Sequence, residues 1–108
     1  MEKMPSTKQY LDFILDGLSA LDDISFRQMM GEYILYYKGR VFGGIYDNRF
    51  LVKPTKSAKE LMPHAQLESP YEGAKDMLLA ENIEDRDFLK KLVETMYSEL
   101  PEPQRRKK

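Results

Sequence analysis

Between Tyr33 and Lys53 apolar and polar residues alternate in three short runs, separated by two pairs of turn-forming residues, Lys38-Gly39 and Asp47-Asn48. Two-residue links favour tight hairpins, so the pattern predicts an antiparallel meander. If both links are two residues long, Tyr37 faces Arg40 and Tyr46 faces Arg49, and a period of two then sets every other side chain. One face collects Ile34, Tyr36, Val41, Gly43, Ile45, Phe50 and Val52, an apolar surface expected to be the core side. The other collects Tyr33, Leu35, Tyr37, Arg40, Phe42, Gly44, Tyr46, Arg49, Leu51 and Lys53, where aromatic rings mix with cations. Gly43-Gly44 leaves an alternative open, because a bulge at a strand glycine would flip everything before it relative to everything after it. Pro54, which has no N–H for a ladder, closes the block.

Helical spacing appears on either side. Tyr10, Phe13, Ile14, Leu18 and Leu21 form one amphipathic stripe behind a capping-box pattern, Ser6-Thr7-Lys8-Gln9, and Asp22-Asp23 is expected to end that helix. Ile24 to Met30 reads as a first strand entering the meander through Gly31. Ser57-Ala58-Lys59-Glu60 predicts a short helix that Pro63 stops. Residues 64–76 read mostly as loop, with a short strand possible around Ala65 to Leu67, and Met77 to Ala80 is too short for periodicity to separate strand from helix. Phe88, Leu89, Leu92, Val93, Met96, Tyr97 and Leu100 form a broad stripe on a last helix opening near Asp85, where acidic residues suit the positive end of the helix dipole. Pro101 ends it, and residues 101–108 read as a disordered basic tail behind a domain of residues 1–100.

Taken with Phe26-Arg27-Gln28-Met29-Met30-Gly31-Glu32, the meander resembles the N-terminal domain of the TfoX/Sxy family of bacterial competence regulators. The features carrying the likeness are the run Arg27 to Tyr33, the hairpin Tyr36 to Phe42, and Asp47-Asn48-Arg49-Phe50 through Lys53. Looser matches at Pro70-Tyr71 and Glu84-Asp85 extend it over nearly the whole chain. The resemblance implies an α+β domain, often dimeric, with no catalytic residues to carry over, and a fifth strand at Met77 to Ala80. It also implies a cytoplasmic, competence-regulator-like role in transcription. The best-known full-length members add a C-terminal helical domain and act with the cyclic-AMP receptor protein; the 108 residues here leave no room for it, so a stand-alone N-terminal domain is expected. The expected architecture is an N-terminal helix, a four- to five-stranded antiparallel meander, a short helix, and a C-terminal helix packed on the sheet.

Composition narrows the functions. With 42% hydrophobic and 32% charged residues the chain reads as an ordinary globular protein, and zero cysteines exclude disulfides, thiol nucleophiles and thiolate metal sites. No stretch approaches the roughly 18 consecutive apolar residues of a membrane span, and the N-terminus lacks a signal-peptide pattern, so cytoplasmic residence is expected. The last eight residues carry four cations and one anion, leaving −4 on residues 1–100, which argues against broad affinity for polyanions. His64, the single histidine, has no sequence-adjacent carboxylate to orient it. Neither Asp22-Asp23 nor Glu84-Asp85-Arg86-Asp87 has calcium-loop spacing. No catalytic residue, metal site, cofactor or small-molecule substrate is therefore expected.

What remains is the mixed face. Aromatic rings interleaved with arginines can stack on bases, yet tyrosine and arginine are equally typical of protein interfaces. Tyr33, Tyr37, Arg40, Phe42, Tyr46 and Arg49 are the candidate partner-binding residues. The mildly acidic body favours a protein partner, a second copy of the chain first, over nucleic acid. Met29-Met30 is expected to be core filler before contact surface.

Overall fold

The computed structural model describes residues 6–101. Helix α1 (Lys8–Gly17) leads into strands β1 (Ile24–Met29), β2 (Glu32–Tyr37), β3 (Arg40–Ile45) and β4 (Phe50–Val52). Helix α2 (Lys56–Leu61), strands β5 (Leu67–Glu68) and β6 (Met77–Leu79), and helix α3 (Arg86–Met96), continued by a 3-10 turn over Tyr97–Glu99, complete the order. The sheet has six antiparallel strands in the order β1-β2-β3-β4-β6-β5, one more than the upper end of the sequence expectation. Strand β6 is the fifth strand that the resemblance implied at Met77 to Ala80, and β5 overlaps the short strand that was possible around Ala65 to Leu67. The tail residues 102–108 lie outside the described residues.

All three links of the meander are two residues long, and each carries positive φ at both positions: Met30 (54°) with Gly31 (84°), Lys38 (51°) with Gly39 (83°), and Asp47 (55°) with Asn48 (54°). That is the twist matching right-handed strands, which makes such hairpins tight. The helix starts shift slightly from the sequence reading. Thr7, not Ser6, caps α1 by accepting from the Tyr10 N–H at 3.2 Å, and Thr55, not Ser57, caps α2 by accepting from the Ala58 N–H at 3.1 Å. Ser6 is otherwise engaged, donating from Oγ to Glu32 Oε1 at 2.8 Å, and the Ser57 N–H and hydroxyl both donate to the Glu99 carboxylate. Asp85 caps α3 as its acidic start suggested. Helix α1 ends at Gly17, ahead of Asp22-Asp23.

The meander is bulged. Leu35 pairs with Gly43 and Tyr36 with Val41, so Phe42 is the extra residue on β3. This corrects the primary facing and realises the alternative that Gly43-Gly44 left open. Directly paired residues share a face. Tyr33, Leu35, Tyr37 and Phe42 therefore turn inward with Ile45, Phe50 and Val52, and all seven are buried in one core cluster. Ile34, Tyr36 and Val41, expected in the core, lie on the outer face and are half-buried. Leu11, Ile14 and Leu18 of the α1 region and Leu89, Leu92, Val93 and Met96 of α3 belong to the same core. The architecture is two-layered, with the helices on the inner side of the sheet.

A bulge needs room for the backbone. A Cβ added at Gly43 would lie 2.2 Å from the Leu51 carbonyl oxygen, and one at Gly44 would lie 2.6 Å from the Tyr33 carbonyl oxygen. Both obstacles are backbone and cannot step aside. Gly43→Ala is accordingly expected to cost about 2–3 kcal/mol as an overpacked site. Gly73→Ala, at φ +88° with nothing within 4 Å, should cost only the roughly 1–2 kcal/mol of left-handed strain. Urea unfolding of the two variants checks the order.

Candidate interaction surface

The bulge redistributes the residues expected to bind a partner. Tyr33 (7% exposed), Tyr37 (5%) and Phe42 (0%) lie in the core, where Phe42 meets Phe50 edge-on at 6.4 Å and Tyr37 meets Tyr97 edge-on at 5.5 Å. Three of the four rings that would have floored an aromatic surface are thus spent on internal packing. The physical cause is the single extra residue, which reverses the facing of β2 and the start of β3.

The two arginines are braces. Arg40 Nη1 donates to the Tyr97 carbonyl at 3.3 Å and the Leu100 carbonyl at 3.2 Å, with its guanidinium 4.5 Å from the Tyr97 ring centre. It adds a second donor to the Tyr97 carbonyl, which also accepts from the Leu100 N–H at 3.1 Å, and serves the Leu100 carbonyl just past the end of the 3-10 turn. Arg49 donates through Nε to the Tyr46 carbonyl at 3.1 Å, through Nη1 to Glu68 Oε1 at 2.7 Å, and through Nη2 to the Ser69 carbonyl at 3.2 Å. It ties the β3–β4 turn to β5 and the loop after it.

Tyr46 alone of the expected aromatic set stays on the outer face, half-buried against Tyr71 at 6.2 Å between ring centres. It borders a groove with Val41, Lys53, Pro54, Pro70 and Met77. Burial raises its phenol pKa above the ordinary value, helped by the neighbouring Tyr71, Glu32 and Tyr36. The charged form of a phenol is the deprotonated one, so the folded chain holds this proton more tightly than the unfolded chain does.

The turns at Met30-Gly31 and Asp47-Asn48 are joined through the start of α1. Ser6 N donates to the Gly31 carbonyl at 3.1 Å, Asn48 N donates to Ser6 Oγ at 3.1 Å, and Asp47 N donates to Glu32 Oε1 at 3.2 Å. Asn48 Oδ1 in turn accepts from Thr7 N at 2.9 Å. This network holds the first hairpin in a fixed place relative to the helix layer.

The apolar surface lies at the other side of that hairpin. Phe26 is 46% exposed, Met29 44% and Met30 96%. Met29-Met30 is therefore surface and not core filler. Strand β1 ends the sheet, and five of its six residues are exposed. Met30 also occupies a turn position with φ 54°, where glycine, asparagine or aspartate would be the undemanding choice. Sequence reasoning missed this site, although the signal was available: a two-residue link at Met30-Gly31, like the two links after it, would have put Met30 at a hairpin tip. His64 is exposed, and among the described residues no group of three or more histidine, aspartate or glutamate side chains is placed to hold a metal ion. Among those residues no helix is long and apolar enough to cross a membrane.

A two-layer α+β domain with an exposed apolar sheet edge defines the class of this protein. Residues 16–100 match the TfoX N-terminal domain, and the chain belongs to that competence-related family. A protein of Spirochaeta aurantia described as an uncharacterized 12.7 kDa protein in the trpE 5′ region is 32% identical over 105 residues, covering 96% of this chain and 91% of that protein. No solved structure gives a significant match.

The buried phenol predicts an alkaline limit. Above about pH 10 the unfolded state loses the Tyr46 proton first, so stability that is intact below that pH should fall as pH rises further. Tyr46→Phe should flatten that fall, read as the urea midpoint followed from neutral pH upward.

Proposed function

We propose that the chain is a non-enzymatic interaction module that works as a transcriptional co-regulator through protein contacts. The observation that carries this reading is the open edge strand β1, with Phe26 exposed on its inner face, Met29 exposed on its outer face and Met30 exposed at its tip. Methionine is flexible and polarizable, which suits it to adaptable protein surfaces.

Three observations weigh against nucleic acid. Three of the four rings expected to stack on bases, Tyr33, Tyr37 and Phe42, are buried in the core, and Tyr46 is half-buried against Tyr71. Arg40 and Arg49 are held by internal carbonyls and carboxylates. The remainder of the chain up to residue 100 carries a net −4, which repels polyanions. The TfoX N-terminal domain family, to which the chain belongs, supports a regulatory role without turnover.

Site-specific photo-crosslinking in the native host tests the proposal. A benzophenone side chain at Met30 should yield protein adducts, whereas the same group at Lys90, exposed on α3, should yield few. Oligonucleotide binding measured beside it should be negligible at physiological salt. Nucleic-acid adducts at Met30, with affinity falling by a log–log slope of roughly 0.7–0.9 per phosphate contact, would put the nucleic-acid reading in its place.

A further inference from the structure

Strand β1 is an edge with few of the usual protections. Natural sheets blunt their edges with very short strands, lysine, proline or bulges. The far edge, β5, has two residues. By contrast β1 has six, Ile-Ser-Phe-Arg-Gln-Met, with no proline, no lysine and an unbroken register against β2. It offers a partner strand a regular row of backbone groups.

Which groups face outward follows from the pairing. Lys38 N donates to the Asp23 carbonyl at 3.0 Å, and Asp23 and Lys38 continue the register Ile24↔Tyr37 by one step. Hydrogen-bonded and non-hydrogen-bonded pairs alternate along an antiparallel ladder, so Ser25, Arg27 and Met29 direct their polar groups at β2. Ile24, Phe26 and Gln28 direct theirs outward. Among the described residues, no strand lies on that side.

We infer that β1 pairs with β1 of a second copy, antiparallel about a two-fold axis through Phe26, to make one continuous sheet across two chains. The inference rests on reading the chain as an interaction module and names its partner and its surface. A two-fold axis perpendicular to a sheet keeps each face on its own side, so one residue must sit opposite its own copy. With Phe26 on the axis, Phe26 meets Phe26, and Ile24 meets Gln28 on each side. Every outward N–H and C=O of the strand then finds a partner. The half-exposed Phe26 rings, which share the inner face with Leu35, come together beside Tyr33, already in edge contact with Phe26 at 5.9 Å.

Charge disfavours the neighbouring register centred on Arg27. Centring the axis on Phe26 places Arg27 opposite Ser25 of the second copy. Centring it on Arg27 sets two guanidinium groups directly opposite each other, which is destabilising in a cross-strand pair. It also brings Met30, whose backbone has left the extended region, against Ile24.

The chain has no cysteine, so single substitutions report the register directly. In a hydrogen-bonded antiparallel pair the Cα atoms are about 5.5 Å apart, within disulfide reach. Phe26→Cys should therefore cross-link two copies under mild oxidation. Gln28→Cys should stay reduced, because its copy lies four residues away along the strand, roughly 13 Å. A second pair of variants avoids removing the central ring. Ser25→Lys puts like charges opposite Arg27 on both sides of the axis and should raise the dimer dissociation constant roughly 2- to 30-fold in sedimentation, and adding Arg27→Glu should reverse that loss. Cross-linking at Gln28 but not Phe26, or indifference of the dimer to Ser25→Lys, would overturn this pairing. A wild-type chain that sediments as a monomer at micromolar concentration would overturn it too. That last result would leave the interaction reading standing if Met30 still captured a different protein, whereas loss of all protein adducts would remove both.

Discussion

The backbone of β3 approaches β4 and β2 more closely than any side chain allows, and the rest of the sheet depends on that approach. Gly43 and Gly44 have no Cβ to strike the Leu51 and Tyr33 carbonyls, and this room lets Phe42 enter as an extra residue. The extra residue changes parity between two halves of one meander. Without it, a core built on Ile45, Phe50 and Val52 would send Tyr33, Leu35 and Tyr37 to the opposite face. With it, both sets lie under α1 and α3. Each such large side chain contributes roughly 1.5–3 kcal/mol by full burial, so the parity change outweighs the ladder bond that a bulge disrupts.

The same parity decides what the cations do. Arg40 sits opposite Tyr37 and so turns to the inner side, where it meets the Tyr97 and Leu100 carbonyls at the end of the last helix. Guanidinium is weakly hydrated and presents a planar fork of donors, which suits it to bracing half-buried carbonyls. Arg49 has the analogous task at the other end of the sheet, between Tyr46, Glu68 and Ser69. Residues that look like an anion-binding stripe in the sequence become struts in the fold. Replacing either by lysine would keep the charge but lose the geometry of two or three simultaneous donations.

Local signals were legible and long-range ones were not. The two-residue turns at Lys38-Gly39 and Asp47-Asn48, the Asp85 cap and the apolar stripe of α3 depend on residues within one or two turns of chain, and the sequence displays them. The caps at Thr7 and Thr55 were displaced by one or two residues because Ser6 and Ser57 had better offers from Glu32 and Glu99, 26 and 42 residues away. Strands β5 and β6 have two and three residues, fewer than periodicity can register. The facing of β2 turned on a contact between Gly43 and the Leu51 carbonyl, which a pattern of single residues does not encode. As for the candidate site, Tyr46 alone of its four aromatic residues kept its outward place, because it follows the bulge, whereas Tyr33 and Tyr37 lie before it and Phe42 is the extra residue itself. Met30 escaped notice because two consecutive methionines resemble core filler until the turn length is known.

The two ends of the sheet show how much of this surface is conformational design and how much is composition. At one end β5 offers a two-residue edge with Glu68 tied to Arg49, a short and charged strand of the kind that discourages pairing. At the other, β1 is three times as long, and the chain places exposed Phe26, Met29 and Met30 along it while the network of Ser6, Glu32 and Asn48 anchors the Gly31 end of the hairpin. A strand that is held still loses little further conformational freedom when it binds, so more of its backbone hydrogen bonding and apolar contact remains as affinity. A mobile apolar edge would instead be an aggregation hazard. Anchoring behind an open edge is the arrangement that the proposed association would use.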